Sequence, residues 1–167
     1  MTIAIGPALD PGLDLVLERT VDVPPAFVWD AWTKPELLKR WFCPKPWQTV
    51  EAEMDLVPGG IFRTVMRGPE GQQFDNVGCF LEIVPGRRLV WTGALGPGYR
   101  PQLPGPSIPF VMTAIIAIEP TSSGGTKYTA TVLHGDVKSR EQHEAMGFHQ
   151  GWSAAFAQLV ELSRGSA

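Results

Sequence analysis

The chain reads as an α+β domain in which a few helices pack on one antiparallel sheet. Three features of the 167-residue sequence predict this. Short stretches of alternating polarity follow one another across compact turns, the pattern of neighbouring antiparallel strands. Glycine and proline, 18 and 16 residues, make up about a fifth of the chain where roughly 12% is usual, so the elements are many and short. Helical periodicity is confined to one stretch near the start and one at the end, which segregates the helices from the strands.

The first strand is "LDLVLERTVDV", residues 13–23, with Leu13, Leu15 and Leu17 on one face. Pro24 and Pro25 end it, and proline suits the first turn of the helix that follows. In "PPAFVWDAWTKPELLKRWF" Phe27, Val28, Ala31 and Trp32 recur at helical spacing. Thr33 and Pro35 mark a break and a restart, with Thr33 the expected cap of a second short helix holding Leu37, Leu38 and Trp41. Four segments then alternate between turns: "QTVEAEMDLV", "IFRTVMR", "FDNVGCFLEIV" and "LVWTGAL". After them "GPGYRPQLPGPSIP", residues 96–109, has no periodicity and is expected to be a stiff connection. Two more strands, "FVMTAIIAIEP" and "TKYTATVLH", lead into the final segment. Residues 139–163 are expected to form one long helix, with Phe148, Trp152, Ala155, Phe156 and Leu159 on its apolar face. The order is strand, two short helices, about six strands and a long helix, within a single domain over 1–167 whose core is 13–163 and whose N-terminal extension is 1–12.

Composition removes several classes of function. A formal charge of −3 with a pI near 5.6 offers no basic footprint for nucleic acid. The longest apolar run, "IPFVMTAIIAI", is shorter than the ~20 residues a membrane helix needs. The first residues lack the basic and apolar regions of a signal peptide, and two cysteines without CxxC spacing read as reduced thiols of a cytoplasmic protein. "HEAMG" lacks the second histidine of an HExxH metal site. Neither a G-x-S-x-G elbow nor a phosphate-cradling glycine loop is present, so no metal or cofactor is expected. Cys43 is a weak candidate nucleophile, with only Arg40 and Lys45 nearby to lower its pKa.

The motifs "VWDAWTKPELLKRWF", "DLVPGGIFRTVMRGPEG", "NVGCFLEIVPGRRLVWT" and "HEAMGFHQGW" with its trailing "LVEL" resemble bacterial proteins related to the activator of Hsp90 ATPase. These belong to the START-like, or polyketide cyclase-like, superfamily. The resemblance runs from about residue 13 to 162 and implies a helix-grip fold, a curved antiparallel sheet wrapped around the C-terminal helix. It further implies an apolar cavity between the two. It does not imply one chemistry, because members carry lipids, bind hormones, cyclise polyketides or assist a chaperone. The eukaryotic cochaperone carries a further N-terminal domain, whereas about a dozen residues precede the first strand here, which places the cochaperone reading last.

With that cavity in mind, the sequence nominates its walls. Phe62 and Met66 share a strand face with Thr64; Asn76 and Phe80 share another, followed by Trp91, Met112 and Tyr128. Met146, His149, Trp152 and Phe156 represent the final helix, and Tyr99 in the proline–glycine connection is placed to reach a ligand's polar end. His149 lies within the apolar stripe, where it is a core residue with satisfied nitrogens, a ligand contact or a general acid–base. His134, at the end of the last strand, is the other histidine candidate for catalysis. Gly147 and Gly151, one turn apart, are read as packing residues. The expected function is binding of a small hydrophobic or aromatic molecule; a cyclase- or hydrolase-like enzyme comes second and a chaperone accessory third. A homodimer through a sheet edge or the long connection is compatible with the sequence and not specified by it.

Overall fold

The structure is a computed structural model that describes residues 8–105 and 108–165. Seven strands, β1 (Asp14–Val21), β2 (Gln48–Met54), β3 (Ile61–Arg67), β4 (Gln73–Val84), β5 (Arg88–Thr92), β8 (Met112–Pro120) and β9 (Thr126–His134), form one antiparallel sheet. Their order across it is β1-β9-β8-β5-β4-β3-β2. Helices α1 (Pro25–Thr33) and α2 (Pro35–Leu38) connect the two edge strands, β1 and β2. The proline–glycine connection is more ordered than its sequence suggests. It contains the two-residue strands β6 (Leu95–Gly96) and β7 (Arg100–Pro101), joined by a tight turn at Pro97–Tyr99. Residues 1–7 of the expected N-terminal extension, and 106–107 of this connection, lie outside the described residues.

Sheet curvature has a local cause. The register of β2 shifts between Thr49 and Glu51, and that of β4 between Phe80 and Glu82 where it pairs with β5. Such irregularities bend a strand and increase its twist. The bent sheet presents Phe62, Trp91, Tyr128 and Ala130 to the helices. These join Trp32, Trp41, Phe148, Phe156 and Leu159 in one core.

Two expectations are corrected. Thr33 does not cap α2: its hydroxyl donates to the Trp29 carbonyl at 2.7 Å, and Lys34 occupies the cap position. A threonine in the last turn of a helix meets that carbonyl one turn back more readily than it reaches forward.

The terminal helix is two helices, α3 (Val137–Ala145) and α4 (Phe148–Ser163). Gly147 between them has φ 96°, ψ 38°, a left-handed conformation that costs residues bearing a Cβ roughly 1–2 kcal/mol. Helical periodicity persists across the break, which is why the sequence pattern conceals it. Asp136 caps α3 by accepting from the Ser139 amide at 2.7 Å. Its carboxyl pKa is held below the usual range by that bond.

The two glycines therefore differ, although both are read as packing residues in the sequence. A Cβ on Gly151 would meet only Pro44 Cγ at 3.9 Å, ordinary contact inside a helix. Gly147→Ala should lower stability by about 1–2 kcal/mol. Gly151→Ala should raise it by up to about 1 kcal/mol through helix propensity. Thermal unfolding of the two variants should shift in opposite directions, by about 2–4 °C per kcal/mol for a chain of this size.

Candidate functional site

Between the concave face of the sheet and α4 lies a cavity of about 600 Å³, within the usual range of small-molecule sites. Its walls follow strand parity. Phe62, Thr64 and Met66 alternate along β3, and Phe74, Asn76 and Gly78 along β4; all six line the space. Thr64 and Asn76 are direct cross-strand partners, so the two polar groups sit side by side. Trp91 on β5, Met112 on β8 and Tyr128 on β9 continue the wall. Trp152 and Ala155 close it from α4, and Met146, exposed at 59%, stands at the rim.

An aromatic lattice keeps this space from collapsing. Trp32 contacts Trp41 edge-on at 5.0 Å between centroids and Phe42 at 5.4 Å, and Phe62 meets Trp91 at 5.1 Å. Edge-to-face pairs of this kind favour fixed ring orientations. Trp32 donates through Nε1 to the Tyr128 hydroxyl at 3.2 Å, and Trp41 donates to the Ala31 carbonyl at 2.9 Å. Burial pushes the Tyr128 phenol above its usual pKa range, opposed by the Trp32 hydrogen bond. It is therefore a neutral hydroxyl at any physiological pH.

Four of the residues nominated as ligand contacts stand outside the cavity wall, as does His134. Phe80 is fully buried behind Phe62, stacked on it at 4.9 Å, and Phe156 lies against Tyr128 at 4.0 Å. Both have the right parity or helix face, but the packing layer beneath the cavity absorbs them. Tyr99 has φ 64° and its ring covers Gly59, where an added Cβ would come within 2.8 Å of it. The connection contributes Gln102, Leu103, Pro104 and Ile108 to the lining in its place.

His149 is the fourth. It sits in the first turn of α4 at the edge of the buried arc, faces outward and pairs with Glu144 at 3.3 Å. Its side chain is 51% exposed, so the pair contributes little.

The histidine in the wall is His143, on α3. His134 Nε2 lies 2.9 Å from His143 Nδ1, and Phe110 packs on both rings. No periodicity signals this meeting. It requires the end of β9 and the second turn of α3 to fold back on one another around Gly135 and Asp136. Burial, with the proximity of His134, lowers the His143 pKa to about 4. Cys43 also lines the cavity, and burial raises its thiol pKa against an opposing hydrogen bond from Thr49. It is a poor nucleophile there.

Residues 22–164 match the family described as activator of Hsp90 ATPase homolog 1-like protein. The chain belongs to this family. A crystal structure of a Nitrosomonas europaea protein superposes with a TM-score of 0.88 at 50% identity, covering 94% of this chain and 97% of the other. A Rhodobacter sphaeroides crystal structure gives 0.77 at 22% identity, covering 96% and 97%. An Arthrobacter aurescens solution structure gives 0.80 at 20% identity, covering 99% and 94%. These two lower-identity likenesses are of fold. The fold is the helix grip of the START-like superfamily. No curated protein matches the chain. No helix among the described residues is long and apolar enough to cross a membrane.

Two outcomes follow from this geometry. Tyr128→Phe leaves the Trp32 N–H buried without its acceptor and should cost about 1–3 kcal/mol, measurable by urea unfolding. His143 binds fewer protons folded than unfolded between pH 6.5 and about 4. Its contribution to stability is therefore complete above the unfolded value and falls as pH drops through that window. Comparing stability against pH for the native chain and His143→Asn should show a shallower fall in the variant over that range.

Proposed function

We propose that the protein binds a small hydrophobic or aromatic molecule in the cavity between sheet and α4. The observation that carries this reading is the cavity itself: about 600 Å³, walled by Trp32, Phe62, Met66, Trp91, Met112 and Trp152, with few polar groups. A packed interior tolerates few voids larger than a water molecule, so a space this size held open by interlocked rings is a feature with a use. Membership of the family supports it, since the helix-grip fold serves ligand binding in many of its members. The ligand-binding residues on this reading are Phe62, Met66, Asn76, Trp91, Met112, Tyr128, Met146 and Trp152.

A second reading, an enzyme that uses a pocket histidine, gains support from one observation. His143 in the wall has a polar partner, His134, at 2.9 Å, the kind of pairing that orients a general base. Its lowered pKa makes it a weak base at neutral pH, so binding without turnover is the better fit.

Native mass spectrometry of the purified protein, followed by thermal-shift screening of aromatic and alicyclic metabolites, tests the binding reading. A ligand at a hundred times its Kd stabilises by about 2.7 kcal/mol. One chemical class should give saturable shifts, and Met112→Trp, which places an indole in the space, should abolish them while the protein stays folded. Absence of any adduct or shift over a broad set, or shifts unchanged in Met112→Trp, would remove the reading.

A further inference from the structure

At the end of the cavity formed by the start of β8 and the end of β9, a chain of hydrogen bonds fixes which nitrogen faces the ligand space. His134 Nδ1 lies 2.8 Å from the Leu13 carbonyl oxygen. A carbonyl only accepts, so the His134 proton is on Nδ1. In the neutral ring Nε2 is then an acceptor, and the proton in the 2.9 Å bond to His143 belongs to His143 Nδ1. That leaves His143 Nε2 bare. It has no hydrogen-bond partner among the described residues, and the residue lines the cavity. Phe110 at 5.0 Å and Phe148 at 5.2 Å from the His143 ring hold it against rotation.

We propose that His143 Nε2 anchors the ligand by accepting a hydrogen bond from a neutral hydroxyl, as in a phenol or an alcohol, carried on an apolar body. This rests on the binding reading above and narrows it. A pure hydrocarbon leaves the nitrogen desolvated and unpaired. A carboxylate presents only acceptors and opposes the nitrogen's lone pair. The relay to Leu13 is backed by a main-chain carbonyl, so the polarity of the anchor is set by the fold and not by a mobile side chain. His134 is a positioning residue: it fixes the tautomer of His143 and does not itself line the cavity.

The test uses 2-naphthol, its methyl ether and 2-naphthoate, with affinities measured by titration calorimetry at pH 7. Naphthol should bind about 5- to 10-fold more tightly than the ether, the scale of one net hydrogen bond, and naphthoate more weakly than either. In His143→Asn the side-chain amide can still donate to His134, but nothing occupies the Nε2 position. The naphthol-to-ether ratio should fall to about one there, with the ether's affinity unchanged. A ratio near one in the native chain, or a ratio retained in the variant, overturns the anchor while leaving the cavity reading intact. Failure of all three probes to bind overturns both. A ligand-free measurement stands beside these: long-range ¹⁵N–¹H spectra of histidine-labelled protein should show His134 and His143 as Nδ1–H tautomers. An Nε2–H His143 overturns the proposal whatever binds.

Discussion

Tyr128 is the point on which the arrangement depends. Its ring lies flat against Phe156 of α4, 4.0 Å between centroids and 12° from parallel, and its hydroxyl accepts from Trp32 of α1. One residue near the start of β9 thus sets the distance of the long helix from the sheet and the orientation of the first helix beside it. Both polar groups of the Trp32–Tyr128 pair are buried, and an unpaired group there would cost the full penalty of desolvation. The pair therefore specifies a single mutual placement. Phe156 fixes how closely α4 approaches, and the cavity is the space left where the sheet curves away from that contact.

The cavity opens to solvent beside Met146 and Leu103, and small side chains would let its walls relax inward. The walls here are large rings that brace one another. Trp32, Trp41, Phe42, Phe62 and Trp91 form a connected series of mostly edge-on contacts between 5.0 and 6.4 Å. No ring can swing into the void without losing its neighbours. The aromatic richness of the sequence, six Trp and eight Phe, is thereby explained by the need to hold a shape as much as by the need to bury surface.

How much of this can be read in the sequence depends on the range of the interaction concerned. Strand parity is local, so alternation groups Phe62 with Met66 and sets Asn76 apart from Val77; that one of these faces meets a cavity is what the family resemblance implies, and the register shifts at Thr49/Glu51 and Phe80/Glu82 fall outside that stretch. Phe80 and Phe156 carry the same signals as their neighbours; depth below the cavity floor, which separates them, is a property of the assembled layers. The helix break is hidden because Gly147 changes direction without changing the apolar period. His149 lies about 60° from Trp152 on the same helix, and at that edge of the apolar arc the first turn of α4 faces water. The meeting of His134 with His143 rests on a turn between β9 and α3, with no spacing rule to announce it.

Gln158, in the middle of α4, reaches across to a stretch of chain without regular structure. Its amide donates to the carbonyls of Trp41 and Cys43 at 3.1 and 2.8 Å and accepts from the Lys45 backbone N–H at 3.0 Å. Three main-chain groups of the rim are thereby satisfied by the helix and not by the strands on either side. The rim from Trp41 to Lys45 is therefore tied to α4, whereas Trp47, stacked on Phe74 of β4 at 5.3 Å, is tied to the sheet, so the mouth of the cavity is the seam between the two layers.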